Sequence, residues 1–156
     1  MIRVLFVCTG NICRSPMAEA VFMHLVREAG LEDKIEADSA GTGAWHVGQP
    51  AHWGTLAILK QKAIAYQGQA RQLKRSDLDD FDYIITMDDE HFHAVRRHGQ
   101  GRAKVAPLLE YARHAKSHGI YEVPDPYFDG GFDLVYLLVR DGAEGLLDAI
   151  RQEHGL

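Results

Sequence analysis

The fold is decided by one stretch near the amino terminus, Val4-Leu5-Phe6-Val7-Cys8-Thr9-Gly10-Asn11-Ile12-Cys13-Arg14-Ser15-Pro16. Its first four residues are apolar and rich in β-branched and aromatic side chains, which is typical of a buried strand. Its end favours a helix with Ser15 as the N-cap and Pro16 at the first helical position, where the missing N–H of proline costs nothing. The stretch therefore predicts a strand, a tight loop and a helix in immediate succession.

The loop between this strand and this helix contains a cysteine and an arginine separated by five residues, Cys8 and Arg14. Such a loop collects several backbone N–H groups at the positive end of a helix, an arrangement that suits an oxyanion such as phosphate. The amides, the helix dipole and the arginine also stabilise the thiolate form of a cysteine placed there. The sequence thus predicts a nucleophile, Cys8, in a phosphate site formed by Thr9, Gly10, Asn11, Ile12, Cys13 and Arg14.

Two other interpretations of the loop stay open. Cys8 could be a buried structural cysteine beside an Arg14 that pairs with a carboxylate, although strand, glycine turn and helix start stand in the order that anion binding requires. Cys8 and Cys13 could also ligate zinc, but two thiols with no second paired cluster do not match common zinc spacing. The nine histidines of the chain are scattered, and no metal is predicted.

The composition is that of an ordinary globular protein. With 156 residues, 46% of them hydrophobic and 25% charged, the chain can bury a sizeable core, and residues 1–156 are predicted to form one domain. No run of residues approaches a membrane span, and no signal-peptide pattern precedes the first strand. The net charge of −5 argues against broad nucleic-acid binding. Two cysteines in one short loop favour a reducing compartment, so a cytoplasmic location is expected.

Strands and helices alternate along the rest of the chain. Further strands are predicted at 35–39, 83–87 and 104–107. Helices are predicted between the loop and Gly30, from a start near residues 51–55, and at 76–81. The last helix is marked by one apolar face, which comprises Phe132, Val135, Tyr136, Val139, Ala143, Leu146, Leu147 and Ile150. This alternation implies an α/β fold with a parallel sheet covered by helices on both faces. Ligands of such sheets bind beyond the carboxyl ends of the strands, where the Cys8 loop lies.

Charged residues follow the strand predicted at 83–87. Asp88, Asp89 and Glu90 stand at the expected start of a helix, and Arg96 and Arg97 near its end. We interpret these charges as complements of the helix dipole, because each sign lies at the end where it is stabilising.

A long segment without periodicity, residues 111–131, contains the candidate acid. Asp125 lies between two prolines that restrict the local backbone, and Tyr127 is close to it. A carboxylic acid on such a loop can protonate the oxygen that leaves phosphorus and afterwards activate water. Asp125 can equally be a turn-forming aspartate, a role that is common before proline. Trp45 in the glycine-rich segment 41–50 has two interpretations as well, a pocket wall or an anchor on the core.

The stretch from Val7 to Pro16 together with Asp125-Pro126-Tyr127 resembles the low-molecular-weight protein tyrosine phosphatases. The resemblance spans nearly the whole chain and includes the segments 38–42, 70–73 and 81–85. It implies a four-stranded parallel sheet, no metal and no cofactor, with Cys8 as nucleophile, Arg14 as the clamp of the transition state and Asp125 as acid and base. The implied substrates are phosphotyrosine proteins or small aryl phosphates, and phosphate and other oxyanions are the implied inhibitors, with no nucleic-acid or membrane partner.

The same resemblance implies supporting roles for other residues. It makes Ser15 a hydrogen-bond partner of the thiolate, gives Asn11 an unusual backbone conformation braced by Ser39, and lets Cys13 form a disulfide with the nucleophile under oxidation. Ile12, Trp45 and Tyr127 are expected to wall the pocket. The chain departs from the family at Gly68 or Gln69, where a histidine often supports the asparagine, and at Phe128, where many members have a second tyrosine.

Three other functions compete with phosphotyrosine hydrolysis. Arsenate reductases share the fold and loop but relay a disulfide to further cysteines, and this chain has only Cys8 and Cys13. Protein-arginine phosphatases also share the scaffold and tend to have threonine where this chain has Ile12, whose apolar side chain favours an aryl ring. A non-catalytic phosphotyrosine-binding module is expected to lack the nucleophile or the acid, and this chain keeps both.

Overall fold

The sheet has four parallel strands, and the strand that precedes the Cys8 loop lies inside it. In the computed structural model, which describes residues 1–156, the strands are β1 (Ile2–Cys8), β2 (Ile35–Gly41), β3 (Tyr83–Thr86) and β4 (Lys104–Pro107). Their order is β2-β1-β3-β4, and every neighbouring pair is parallel. The predicted fold class is therefore confirmed. The strand order reverses between β1 and β3, so the Cys8 loop begins at the position where such sheets bind ligands.

Helices cover both faces of this sheet. They are α1 (Arg14–Glu28), α2 (Trp53–Gln61), α3 (Asp77–Asp80), α4 (Asp89–Arg97), α5 (His114–Ser117) and α6 (Phe132–His154), with a 3-10 turn at Leu108–Glu110. The larger core lies under α1, α2 and α6, and the smaller core lies under α3 and α4. No helix combines the length and apolarity that crossing a bilayer requires.

Alternate residues of β1 fill the two cores. Val4 and Phe6 point into the larger core, Leu5 and Val7 into the smaller one, and all four side chains are fully buried. Phe6 also meets Phe22 of α1 edge to face, with ring centroids 5.4 Å apart. Burial on both faces explains why β1 is a continuous apolar run without alternation.

The start of α1 differs from the prediction. The helix begins at Arg14, with Cys13 at the N-cap and no side-chain cap, so the assignment of Ser15 as N-cap and Pro16 as first helical residue is wrong. The Ser15 hydroxyl lies 3.0 Å from Cys8 Sγ and accepts a hydrogen bond from Asn11, so the loop uses the oxygen that a cap would need. Ser76 likewise precedes α3 without a capping bond.

β2 extends two residues past its predicted end and reaches Gly41, which pairs with Cys8. A Cβ at residue 41 would lie 2.7 Å from the carbonyl oxygen of Thr9 and 3.1 Å from the backbone nitrogen of Asn11. Glycine is required here because the backbone of the Cys8 loop passes directly over it.

Candidate active site

One pocket, with a volume of about 170 Å³, lies at the carboxyl end of β1. Most of its lining was predicted: Cys8, Thr9, Gly10, Ile12, Cys13, Arg14, Trp45, Asp125 and Tyr127. His46 and Phe128 complete the lining and were not predicted as site residues. We call residues 8–15 the floor of the pocket, and Trp45, His46, Asp125, Tyr127 and Phe128 its rim.

In the backbone of the floor, carbonyl oxygens have hydrogen-bond partners but the N–H groups do not. Its carbonyl oxygens accept hydrogen bonds from outside the loop, at Cys8 from Thr42 N, at Thr9 from Gly43 N, at Ile12 from His52 N and at Cys13 from Thr55 Oγ1. None of the backbone N–H groups of residues 9–15 donates a hydrogen bond within the chain. Buried backbone donors are nearly always paired in proteins. A run of unpaired donors in a buried loop therefore indicates an anion site.

Asn11 bends the floor into this shape. It has a φ of 59°, in the left-handed region that asparagine tolerates better than most residues. Its amide Nδ2 donates to Ser15 Oγ at 2.8 Å, and its Oδ1 accepts the backbone N–H of Arg71 at 3.0 Å. The unusual conformation implied by the resemblance is present, and both polar atoms of the side chain hold it.

Cys8 and Cys13 have different surroundings in the floor. Cys8 Sγ lies 3.0 Å from Ser15 Oγ, and because Ser15 already accepts from Asn11, its own proton is free to point at the sulfur. Burial raises the pKa of the Cys13 thiol to about 12, and the Cys8 and Asp125 charges add to the effect. Cys13 therefore stays protonated, and its implied part in an oxidative disulfide stays a prediction.

Arg14 is 4% exposed, and its side chain is held by several partners. Nη1 donates to Asp88 Oδ2 and to the carbonyl oxygen of Val123, both at 2.9 Å. Nη2 donates toward Thr9 Oγ1 at 3.3 Å and lies 3.7 Å from Asp125 Oδ2. All hydrogen bonds of the guanidinium leave from Nη1 and Nη2, so Nε is available to an oxyanion. These contacts fix the orientation of the guanidinium in the pocket.

The rim is more open than the floor. The Asp125 side chain is 46% exposed, and its Oδ1 accepts the backbone N–H of Tyr127 at 3.0 Å. The turn-forming role and the placement at the pocket are thus both present. Trp45 is 76% exposed and lies against Gly43, where an added Cβ would meet Cζ3 of the indole at 1.8 Å. The structure thus places Trp45 at the pocket and not in the core.

The sequence model of the family described as low molecular weight phosphotyrosine protein phosphatase matches residues 3–155. The chain belongs to this family. It is 48% identical to the low molecular weight protein-tyrosine-phosphatase YfkJ of Bacillus subtilis, over all of both chains. A phosphatase of Schizosaccharomyces pombe is 47% identical over 96% of this chain and 97% of its own. The chain is therefore a phosphatase enzyme.

Solved structures agree with this assignment. The crystal structure of YfkJ from Bacillus subtilis has a TM-score of 0.93 at 49% identity, covering 98% of this chain and 96% of its own. The structure of a Drosophila arginine phosphatase has a TM-score of 0.88 at 34% identity, covering 96% of this chain and 98% of its own. The scaffold of this phosphatase therefore occurs in proteins named for two different phosphorylated side chains.

The implied bracing of Asn11 by Ser39 is wrong in this phosphatase. Ser39 Oγ donates instead to Glu19 Oε1 at 2.6 Å, beside the ring of Tyr66. Burial raises the pKa of Glu19 to about 7, although the hydrogen bond from Ser39 lowers it. Support of Asn11 comes from Ser15 and from the backbone of Arg71, which pairs with Asp38 and Asp77. The missing histidine near Gly68 is thus replaced by a different set of contacts.

The dipole interpretation of the charges at α4 is incomplete. Asp88 caps α4 by accepting from His91 N at 3.0 Å, and its other oxygen binds Arg14. His91 is buried and contacts both Thr9 and Arg14. Sequence reasoning missed these two residues because acidic and histidine side chains at a helix start are common. The available signal was that these residues closely follow a predicted strand, since the carboxyl ends of parallel strands meet at the edge where ligands bind. No three His, Cys, Asp or Glu side chains lie close enough to hold a metal ion.

Proposed function

We propose that this phosphatase hydrolyses phosphotyrosine through a covalent phospho-cysteine intermediate formed on Cys8. One observation carries the proposal: the seven unpaired backbone N–H groups of residues 9–15 lie in the same loop as the Cys8 sulfur. Backbone donors and a buried arginine bind the phosphoryl oxygens, and a thiolate below them is placed to attack phosphorus.

In the first step the Cys8 thiolate attacks phosphorus, so that an S–P bond forms while the P–O bond to tyrosine breaks. Arg14 contacts the equatorial oxygens through its planar fork, which a lysine cannot reproduce. The leaving phenolate takes a proton from the carboxylic acid of Asp125, whose Oδ2 lies 3.7 Å from the Arg14 guanidinium. Tyrosine is released and Asp125 becomes a carboxylate.

In the second step water attacks the phosphorus of the phospho-cysteine and gives its proton to Asp125. The S–P bond breaks, inorganic phosphate is formed and the thiolate returns. Ser15 supports both steps, because its hydroxyl proton is free to bond the sulfur at 3.0 Å whenever that sulfur carries charge. The same cradle explains the expected inhibition by phosphate and other oxyanions, which occupy the binding site of the phosphoryl group.

The pocket walls favour an aryl substrate over phosphoarginine. Ile12, Trp45, Tyr127 and Phe128 line the entrance to the floor and offer apolar surface to a phenyl ring. Ile12 provides no hydroxyl for a guanidinium leaving group. Phosphoarginine is retained as the second candidate, because a Drosophila arginine phosphatase shares the scaffold.

The remaining alternatives lack support in the chain. Arsenate reduction needs a relay cysteine beyond the floor, and the sequence has only Cys8 and Cys13. A binding module without activity has no use for the acid, yet Asp125 reaches the pocket. Both cysteines are free and buried, consistent with the proposed cytoplasmic location, where a reactive thiol persists.

The test is turnover of phosphotyrosine peptide, phosphoarginine peptide and an aryl phosphate by wild type and by Cys8→Ser, with and without chelator. We expect hydrolysis of the two aryl substrates by wild type only, unaffected by chelator, while Cys8→Ser still binds phosphate through the backbone cradle and Arg14. Retained turnover in Cys8→Ser would overturn the covalent mechanism. Faster turnover of the phosphoarginine peptide would move the assignment to the second candidate, and loss of activity with chelator would revive zinc.

A further inference from the structure

His91 is a buried polar residue for which the proposed mechanism has no role. Its side chain is 1% exposed and lies in the first turn of α4, behind the floor. Nε2 lies 2.8 Å from Thr9 Oγ1 and 3.3 Å from Arg14 Nη2. Nδ1 lies 3.2 Å from Asp88 Oδ1, but without the geometry of a hydrogen bond. A buried ring nitrogen without a partner is rare and requires an explanation.

The partners of His91 determine which nitrogen carries the proton. A guanidinium can only donate, so Nε2 facing Arg14 must accept, and the proton of the neutral ring is on Nδ1. The Thr9 hydroxyl then donates to Nε2 and accepts from Arg14 Nη2 at 3.3 Å. Hydrogen bonds therefore run in one direction, from Arg14 through Thr9 to His91.

We propose that neutral His91 is a positioning residue that fixes the guanidinium of Arg14 for the oxyanion, and that protonation of the ring releases it. The proposal rests on the proposed function, because it assigns Arg14 to the transition state. A proton on Nε2 turns the acceptor into a donor and places a second cation 3.3 Å from Arg14 Nη2. The proton of the Thr9 hydroxyl must then turn away from the ring, so that Thr9 Oγ1 only accepts from His91 and Arg14, and the directed chain is lost.

The charges around the ring favour the neutral state. Arg14 faces it from the start of α1, Asp88 from the N-cap of α4, and Asp125 from the segment 111–131. Burial lowers the pKa of His91 and Arg14 lowers it further, while Asp88 and Asp125 raise it, and the resulting value is about 4. The chain of hydrogen bonds is thus intact at neutral pH and fails only in acid.

Two variants distinguish a positioning role of the His91 side chain from a role in filling space. His91→Leu keeps most of the volume but removes the acceptor, whereas His91→Gln keeps an acceptor near the position of Nε2. We expect His91→Leu to lower kcat and vanadate affinity about 10- to 100-fold, as the loss of an outer-shell partner does elsewhere. KM should change less than about threefold, because substrate binding rests mainly on the backbone cradle. His91→Gln should restore most of the loss, and His93→Gln, an exposed position on the same helix, should behave as wild type.

A purely structural role predicts the opposite, that His91→Leu keeps kcat or that His91→Gln does no better than His91→Leu. Vanadate binding is measured by calorimetry and needs no turnover, so a failure of the proposed function leaves this comparison intact. Conversely, a wild type that hydrolyses phosphotyrosine while His91→Leu matches it overturns only the role of His91.

Two further measurements cover the case in which His91→Leu does not fold. The ratio of kcat for wild type to that for His91→Gln cancels the ionisations that both proteins share, and we expect it to fall as pH drops from 6.5 toward 4. A ratio that stays constant contradicts the protonation step. In ¹⁵N spectra of the wild type at pH 7, the His91 ring should be neutral with its proton on Nδ1. A charged ring or a proton on Nε2 overturns the proposal.

Discussion

The floor and the rim of the pocket are built in opposite ways. In the floor, Asn11 and Arg14 are almost fully buried. The Asn11 side chain hydrogen bonds to Ser15 within the floor and to the backbone of Arg71, and the Arg14 side chain hydrogen bonds to two other segments of the chain. In the rim, Trp45 is 76% and Phe128 is 87% exposed, and Asp125 accepts one hydrogen bond, from its own turn. The floor is a buried and preorganised set of groups, whereas the rim consists of exposed loop side chains with few hydrogen bonds.

This difference separates two parts of the chemistry. Groups that stabilise the transferred phosphoryl group must stand in place before reaction, because their reorganisation would add to the barrier. Groups that meet the varying part of the substrate benefit from exposure and freedom. We therefore expect changes in the polar groups of the floor to affect every substrate alike, and changes in the rim to depend on the leaving group.

Apart from loss of the nucleophile, the largest expected effect belongs to the rim acid. Asp125→Asn should slow phosphoryl transfer from phosphotyrosine peptide by about 10²- to 10⁴-fold, the usual value of general acid catalysis. The tyrosine phenolate, with a pKa of about 10 in solution, needs a proton to leave. The defect should shrink for nitro-activated phenolates, measured as the burst or single-turnover rate. The asparagine can still accept from Tyr127 N, so the turn is retained.

Asp129→Asn, in the same segment, is the matched control for Asp125→Asn and should leave the leaving-group dependence unchanged. A small, uniform loss in Asp125→Asn would mean that Asp125 only shapes its loop. If Asp129→Asn showed the dependence instead, Asp129 would be the acid.

A floor substitution should give the contrasting pattern. Arg14→Lys keeps the charge but loses the fork that binds Asp88, the Val123 carbonyl and the oxyanion together. We expect kcat to fall about 10²- to 10³-fold, the cost of removing one preorganised donor, and by the same factor for every leaving group. Arg113→Lys, in an exposed ion pair with Asp148, is the control and should leave kcat unchanged. If the loss in Arg14→Lys depended on the pKa of the leaving group, the proposed distinction between floor and rim would be contradicted.

The same distinction explains what the sequence could predict. The floor is contiguous in the chain, so its apolar strand, its loop and its Cys8–Arg14 spacing carry both fold and site in one stretch. The strands and most helices followed from residue patterns, and the four-stranded sheet was confirmed. The short helix α5 (His114–Ser117) lies in the segment 111–131, for which no element was predicted. Asp125 is far from the loop in sequence, but it could be predicted because two prolines flank it in a long irregular segment.

Partners of the floor that come from other segments were not predicted. Asp88 and His91 bind Arg14 only because β3 lies beside β1, a pairing that no local pattern reveals. The Ser15 cap failed for a physical reason as well, because local propensity cannot show that Asn11 and Cys8 both use the Ser15 hydroxyl. His46 reaches the pocket from an exposed loop whose sequence fixes no path.

Buried groups around the floor should give stability two opposing pH dependences. His91 has its pKa lowered from 6.5 to about 4, so the unfolded chain takes up a proton that the folded chain refuses, and stability falls as pH drops through this window. Glu19 has its pKa raised from 4.5 to about 7, so the folded chain keeps a proton, and stability rises as pH drops from 7 to 4.5. Each contribution is at most about 3 to 4 kcal/mol, since each pKa differs from its ordinary value by about 2.5 and one pKa unit corresponds to about 1.4 kcal/mol.

Urea unfolding of single variants separates the two contributions. Glu19→Gln can still accept from Ser39 and should exceed wild type in stability above pH 7, with the advantage gone below pH 4.5. His91→Gln should gain on wild type only as pH falls below 6.5. The stability of the double variant should itself show neither of these two pH dependences. A constant difference between either single variant and wild type would show that the residue does not change its protonation in this range.

The smallest expected effect is tested at two residues that have nearly the same positive φ. Asn11 and Ala63 have φ of 59° and 57°, but only Asn11 lies in the floor. Ala63→Gly should stabilise the protein by about 0.5 to 1 kcal/mol, because relief of left-handed strain exceeds the added freedom of the unfolded chain. Asn11→Gly relieves less strain, because asparagine tolerates this φ better than alanine does. It should destabilise the protein by about 1 to 3 kcal/mol, because the backbone N–H of Arg71 loses its acceptor.

Urea unfolding at one pH decides this comparison, with Asn11→Ala as the third arm. That variant loses the same hydrogen bonds as Asn11→Gly and keeps the strain, so it should be less stable than Asn11→Gly by about 1 kcal/mol. If Asn11→Gly were as stable as wild type, the amide contacts with Ser15 and Arg71 would contribute nothing, and the floor would be held by backbone shape alone. If Ala63→Gly lost stability, relief of strain would not outweigh the added freedom of the unfolded chain, and the gap between the two Asn11 variants would need another cause.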